Sequence, residues 1–229
     1  LLALFRVLQG LAMGGSWDGL PSLLALNAPK DRRGWYAMLG QLGAPVGFIV
    51  AAGVFAFLYA SLEPADLLSW GWRYPFFVAF AINVVALFAR LRIVVAEEYQ
   101  HRMGELELEP TPVRELFRAK GRHVVIGAFA ALASYALFHI VTIFPLSWIL
   151  LYSQQSIVSF LIVQIVGAFI AAGAIVASGV IADRFGRART LGALAVGIAM
   201  FSGFAPTLME GGPIVHGAFI QVGFALPAP

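Results

Sequence analysis

Seven apolar stretches dominate the sequence, and six of them are long enough to cross a lipid bilayer as helices. They run over residues 2–26, 35–60, 74–95, 124–151, 157–182 and 190–209, and a seventh begins near 214. A hydrocarbon core about 30 Å thick takes about 20 helical residues to span. None of the stretches alternates polar with apolar residues, so barrel strands are excluded. Helices satisfy their own backbone polar groups in hydrocarbon, which open strands cannot do. Only 12% of the residues are charged and 60% are hydrophobic, against about 25% charged in soluble domains. The expected fold class is all-α, a polytopic membrane protein. Cysteine is absent, which removes disulfides and thiolate metal sites. No metal and no cofactor is expected.

Every lysine and arginine except Arg6 and Arg73 falls in or beside three loops. The first holds Lys30, Arg32 and Arg33. The second holds Arg90, Arg92, Arg102, Arg114, Arg118, Lys120 and Arg122, and the third Arg184, Arg187 and Arg189. The intervening loops carry Arg73 alone. Basic residues favour the cytoplasmic side, so loops 27–34, 96–123 and 183–189 are expected there, in a multi-pass protein of the cell's inner (plasma) membrane. The net charge of +3 then reflects topology and not nucleic-acid binding. The long charged loop divides the chain into 1–95, the end of one helical bundle, a linker 96–123, and 124–229, the start of a second. Within the linker, Thr111 and Pro112 read as the N-cap and first position of a short surface helix over 113–118. Leu1 already lies in an apolar run, and residues 217–229 stop within another, so the chain reads as a piece of a longer protein.

Two motifs carry a mechanism. The third basic loop runs Gly179-Val-Ile-Ala-Asp183-Arg184-Phe-Gly186-Arg187-Ala-Arg189. Gly179 permits close helix approach. Asp183 places a negative charge where another helix's positive N-terminus could meet it. Gly186 allows a tight turn. The loop resembles the signature cytoplasmic loop of the major facilitator superfamily, G-x-x-x-D-R-x-G-R-R, with Ala188 in place of one basic residue. The first stretch, with Arg6, Gln9, Gly10, Gly14, Gly15 and Trp17, resembles that family's fourth-helix motif. It is closest to the metabolite:proton symporter subgroup, although Ser16 stands where that subgroup has Glu, and Asp18 follows two residues later. Pro29 to Gly34 and Trp72-Arg73-Tyr-Pro75-Phe76 match the family's loop after the fourth helix and entry to the sixth. The resemblance covers essentially the whole chain, as roughly the fourth to tenth helices of an incomplete major facilitator-type bundle. It implies alternating access, with Asp183 latching near Gly34 and Trp35. Gly179, Arg184, Gly186 and Arg187 complete that conformational latch.

Ionisable residues at bilayer depth are costly and mark candidate sites. Arg6 sits in the outer half of its stretch, with Gln9 and Trp17 on its face. Asp18 lies about 18 Å of rise further in, too far to pair with Arg6. Asp18 is the proton-coupling candidate, with Arg6 as its modulator, and the alternative for Asp18 is a polar helix contact. Tyr135, His139 and Thr142 form a polar stripe suited to an aqueous cavity. Gln41 and Gln164 are further cavity candidates. Gly43, Pro45 and Gly47 suggest close helix packing with a kink, and Pro145 a bend.

These features lead to a secondary active transporter of a small metabolite, an organic acid by the subgroup resembled, with protons as a candidate coupling ion. The expected partners are lipid and a small-molecule substrate, with no nucleic acid, and the protein is expected to be a monomer. A drug or sugar transporter of the same superfamily is the alternative. An intramembrane enzyme lacks H-E-x-x-H, G-x-S-x-G and paired carboxylates here, so no enzyme is expected. A channel lacks a visible filter repeat or charge ring.

Overall fold

The computed structural model describes residues 1–16, 28–29, 31–95, 113–152, 156–209 and 213–226. In chain order the helices are α1 (Leu2–Ser16), α2 (Arg33–Gln41), α3 (Gly43–Ser61), α4 (Pro64–Ser69), a 3-10 turn (Gly71–Arg73) and α5 (Tyr74–Val95). After these come α6 (Val113–Thr142), α7 (Phe144–Tyr152), α8 (Ile157–Phe185), α9 (Arg187–Met209) and α10 (Pro213–Ala225). Among the described residues, five stretches are long and apolar enough to cross a membrane: Arg33–Ser61, Gly71–Ala89, Arg114–Trp148, Ile157–Phe185 and Arg187–Thr207. The chain is an all-α polytopic membrane protein. The stretch 2–26 is described only as far as Ser16, and Thr111 and Pro112 lie outside the described residues.

The helices follow from composition. α3, α8 and α10 are apolar on all faces, which suits a helix surrounded by lipid or by other helices. Gly186 ends α8 with φ of 88°, a conformation that favours glycine. Its N–H still closes onto the Ala182 carbonyl at 3.0 Å, and α9 starts at the next residue. This sharp reversal fixes the third basic loop at its minimum length.

Three boundaries differ from the sequence pattern. The stretch 35–60 is two helices joined at Leu42, bridged by Val46 N–H to Leu42 O at 3.3 Å. Gly43, a weak helix former, starts the second. The surface helix expected over 113–118 is continuous with the spanning helix through a kink at Lys120, where φ is −135° and ψ 20°. The stretch 124–151 breaks at Ile143, two residues before Pro145, which lacks the N–H that would continue the ladder. Space beside Gly43 and Gly47 is open, so neither glycine forms the close packing expected of it among the described residues.

The chain divides into two compact units, residues 1–53 with 133–229, and residues 54–132. In the second unit, Pro64 opens α4 at a position where its missing N–H costs nothing. The Arg73 guanidinium lies 4.6 Å over the Trp72 ring. Trp70 meets Tyr74 edge-on at 5.5 Å. Such aromatics sit at headgroup level in spanning proteins.

The first unit has its core where α6, α8, α9 and α10 converge. Leu137, Val141, Phe160, Ala168, Ala171, Phe201, Phe219, Ile220 and Phe224 are buried there. Phe201 stacks on Phe219 at 5.1 Å. Phe48 of α3 packs edge-on against Phe224 at 5.4 Å. Gly167 gives the Phe224 ring its place, since a β-carbon there would lie 2.8 Å from the ring.

Candidate functional site

The first turn of a helix leaves backbone N–H groups without partners inside the helix. In α2 two of these belong to Gly34 and Trp35. Asp183, in the last turn of α8, accepts both. Gly34 N–H donates to Oδ1 at 2.7 Å and Trp35 N–H to Oδ2 at 3.0 Å. Both bonds are charge-assisted, and the carboxylate faces the positive end of the α2 dipole. The two segments are 149 residues apart in the sequence.

That approach needs glycine on both helices. A β-carbon on Gly34 would lie 2.6 Å from Asp183 Oδ1 and 2.9 Å from the Gly179 carbonyl oxygen. One on Gly179 would lie 2.8 Å from Met38 Cγ and 3.3 Å from the Gly34 carbonyl oxygen. Met38 is buried in this contact with Ile175. Arg184 and Arg187 follow the carboxylate in sequence and are exposed. The contact brings the first and third basic loops to the same end of this unit.

A second polar cluster sits at the break between α6 and α7. Carbonyls at a helix break lose their i+4 donors. The Thr142 carbonyl receives instead the Gln164 side chain of α8, whose Nε2 donates at 2.8 Å. Gln164 is 2% exposed, so this bond lies in the interior of the unit. The Thr142 hydroxyl donates to its own Phe138 carbonyl at 2.7 Å. At the residue before Gln164, Gln221 Nε2 of α10 donates to the Val163 carbonyl at 3.1 Å. Its Oε1 is buried without a hydrogen-bond partner among the described residues.

The structure therefore separates the cavity candidates. Thr142 and Gln164 are buried and bonded to backbone carbonyls. Tyr135 and His139, on the same helix, are exposed, and His139 meets the Phe138 ring at 6.1 Å. Gln41 is partly buried and lines a groove between α2, α8 and α9. Gln9 is exposed on α1, and Arg6 falls within the same helix. Trp17 and Asp18 lie outside the described residues.

Sequence reading passed over Gln221 and Met38. Gln221 was detectable as a lone amide in an otherwise apolar stretch. Met38 carried no signal, because an apolar residue in an apolar helix is unremarkable until its neighbour is known to be glycine.

Comparison with known proteins adds an independent line. Residues 1–228 match the family model of the Major Facilitator Superfamily. The inner membrane metabolite transport protein YhjE of Escherichia coli K12 is 32% identical over 235 residues, 99% of this chain and 53% of that protein. A putative metabolite transport protein of Haemophilus influenzae is 29% identical over 238 residues, 99% of this chain and 54% of its own length. The shikimate transporter of Escherichia coli K12 is 30% identical over 196 residues, 82% of this chain and 44% of that protein. The chain thus spans about half the length of the first two relatives. No solved structure matches the chain.

Proposed function

The chain belongs to the major facilitator superfamily, and from that premise we propose that the intact protein is a secondary transporter, carrying a small metabolite across the inner membrane by alternating access. The relatives support this reading by name: two are metabolite transport proteins, one of them of the inner membrane. It is a reading as a transporter and not as an enzyme.

The observation that carries the mechanism is the Asp183 contact. Alternating access requires a contact that forms on one side of the membrane and breaks when the site opens there. Residues 1–95 would end one helical bundle and residues 124–229 begin the other, joined by the linker 96–123. Asp183 on α8 and the start of α2 then belong to different bundles. Their two hydrogen bonds tie the cytoplasmic side shut while the substrate site faces outward. Glycines at 34 and 179 let the tie form without strain, and Gly186 holds the loop that carries it. Arg184 and Arg187 would keep the loop on the cytoplasmic side.

The substrate class proposed is a small carboxylate. Relatives of this chain are named for shikimate and for proline or betaine, and each of these solutes bears a carboxylate. Arg6 and His139 are the cationic or polar groups in the spanning stretches suited to such an anion, with Gln9, Trp17, Gln41 and Tyr135 as further cavity residues. Asp18, a carboxylate within the first apolar stretch, is the proposed proton carrier. The protein would act as a monomer.

The test is substrate uptake by the intact protein in proteoliposomes. Asp183→Asn keeps shape but removes the charge that strengthens both bonds, so uptake should fall while membrane insertion is unchanged. Full activity of that variant rejects the tie. Collapsing the pH gradient should then abolish accumulation but leave exchange of labelled substrate, and Asp18→Asn should mimic it.

A further inference from the structure

A groove of about 300 Å³ opens beside the Asp183 contact, between α2, α8 and the first turns of α9. Ala37, Met38, Leu191 and Leu194 give it apolar walls, and Arg187 stands in its lining. We infer that this groove binds a phospholipid with an anionic headgroup from the cytoplasmic leaflet, an acyl chain in the groove and the headgroup phosphate on Arg187.

Three observations favour this occupant over a polar solute. Arg187 forms no ion pair among the described residues. Asp183, four residues before it, has both oxygens on the α2 backbone. The guanidinium is therefore a cation at the basic end of the spanning helices, where anionic headgroups lie. The hydroxyls in the groove are already engaged: Ser178 donates to the Ile175 carbonyl at 2.8 Å and Thr190 to the Gly186 carbonyl at 3.1 Å. A polar solute needs convergent free donors and acceptors, and besides Arg187 these walls offer only the amide of Gln41, at one edge of the lining. A lipid needs one charge and an apolar trough, and the groove has both. Arg187, planar and permanently charged, suits a phosphate's paired oxygens.

The test uses the intact protein carrying Leu194→Trp, reconstituted in phosphatidylcholine vesicles doped with either brominated phosphatidylglycerol or brominated phosphatidylcholine. The fluorescence added by the new tryptophan, relative to the parent, reports bromine in the groove. Quenching should favour phosphatidylglycerol about fivefold, the size of one basic contact at a membrane surface. Arg187→Gln should bring that preference close to one. Arg92→Gln, at the basic end of α5 and outside the groove, should leave it unchanged. Equal quenching by the two lipids overturns the assignment, as does a preference that survives Arg187→Gln. Displacement by soluble glycerol phosphate would assign the groove to a free anion and overturn it as well. Leu191→Trp, on the same wall, serves if Leu194→Trp does not fold. Lipid contact is read without transport, so its failure is separable from a failure of the alternating-access reading.

Discussion

Gly34 and Gly179 face each other across α2 and α8 so closely that neither position has room for a methyl group. The crowding differs in kind on the two sides. At Gly34 the obstacles are the Asp183 carboxylate and a backbone carbonyl, and neither can move without breaking the contact. At Gly179 the nearest obstacle is the flexible Met38 side chain. Gly34→Ala should therefore cost more than Gly179→Ala, about 1–3 kcal/mol for the overpacking plus the displaced carboxylate. Thermal unfolding and uptake of the two variants check the order. Equal effects would show that the close approach does not hold Asp183.

Gly186 offers a test independent of any contact. Its φ of 88° with ψ of 141° is nearly closed to other residues, and a side chain there costs about 1–3 kcal/mol. Gly186→Ala should lower the thermal midpoint of the intact protein and weaken the tie through the loop that carries it. An unchanged midpoint would mean that the reversal between α8 and α9 relaxes without difficulty.

The bond from Gln164 to the Thr142 carbonyl holds α8 against the broken helix α6–α7. Gln164→Leu keeps the volume and removes the donor. Interhelical bonds of this type contribute on average about 0.6 kcal/mol and at most about 1.7. The variant should be destabilised within that range in mixed-micelle denaturation. Thr142→Val, whose hydroxyl serves only its own helix, should change stability less. The reverse order would place the important bond within α6 and not between helices.

Tyr135 and His139 stand apart from these buried amides on the exposed face of α6. If that face lines the substrate path, His139→Ala should raise the KM for a carboxylate substrate with little loss of stability. Gln164→Leu should do the converse. A His139→Ala variant with unchanged KM would remove this residue from the substrate site.

Much of this was legible in the sequence for physical reasons. Lipid-length apolar runs are dictated by the solvent, so the five spans among the described residues follow directly from them. The loop from Gly179 to Arg189 carried its geometry in residue types: a glycine for approach, an acid for a helix N-terminus, a glycine for reversal. Pro145 announced the break between α6 and α7. The partner that satisfies the break, Gln164, sits 22 residues away on another helix, and no local pattern reveals such a pairing. The turn at Leu42 was hidden because the apolar run continues through it. The polar stripe of Tyr135, His139 and Thr142 was read as one surface, yet the structure buries Thr142 and exposes the other two. Helical spacing gives a shared face but not which part of that face meets a neighbour.

Paired spin labels at Tyr36 and Phe185, exposed residues beside the two halves of the contact, report in the intact protein whether the Asp183 carboxylate holds α8 to α2. The expected result is a short, narrow distance population without substrate that shifts toward longer distances in Asp183→Asn. Identical distance distributions for the two proteins would contradict the account.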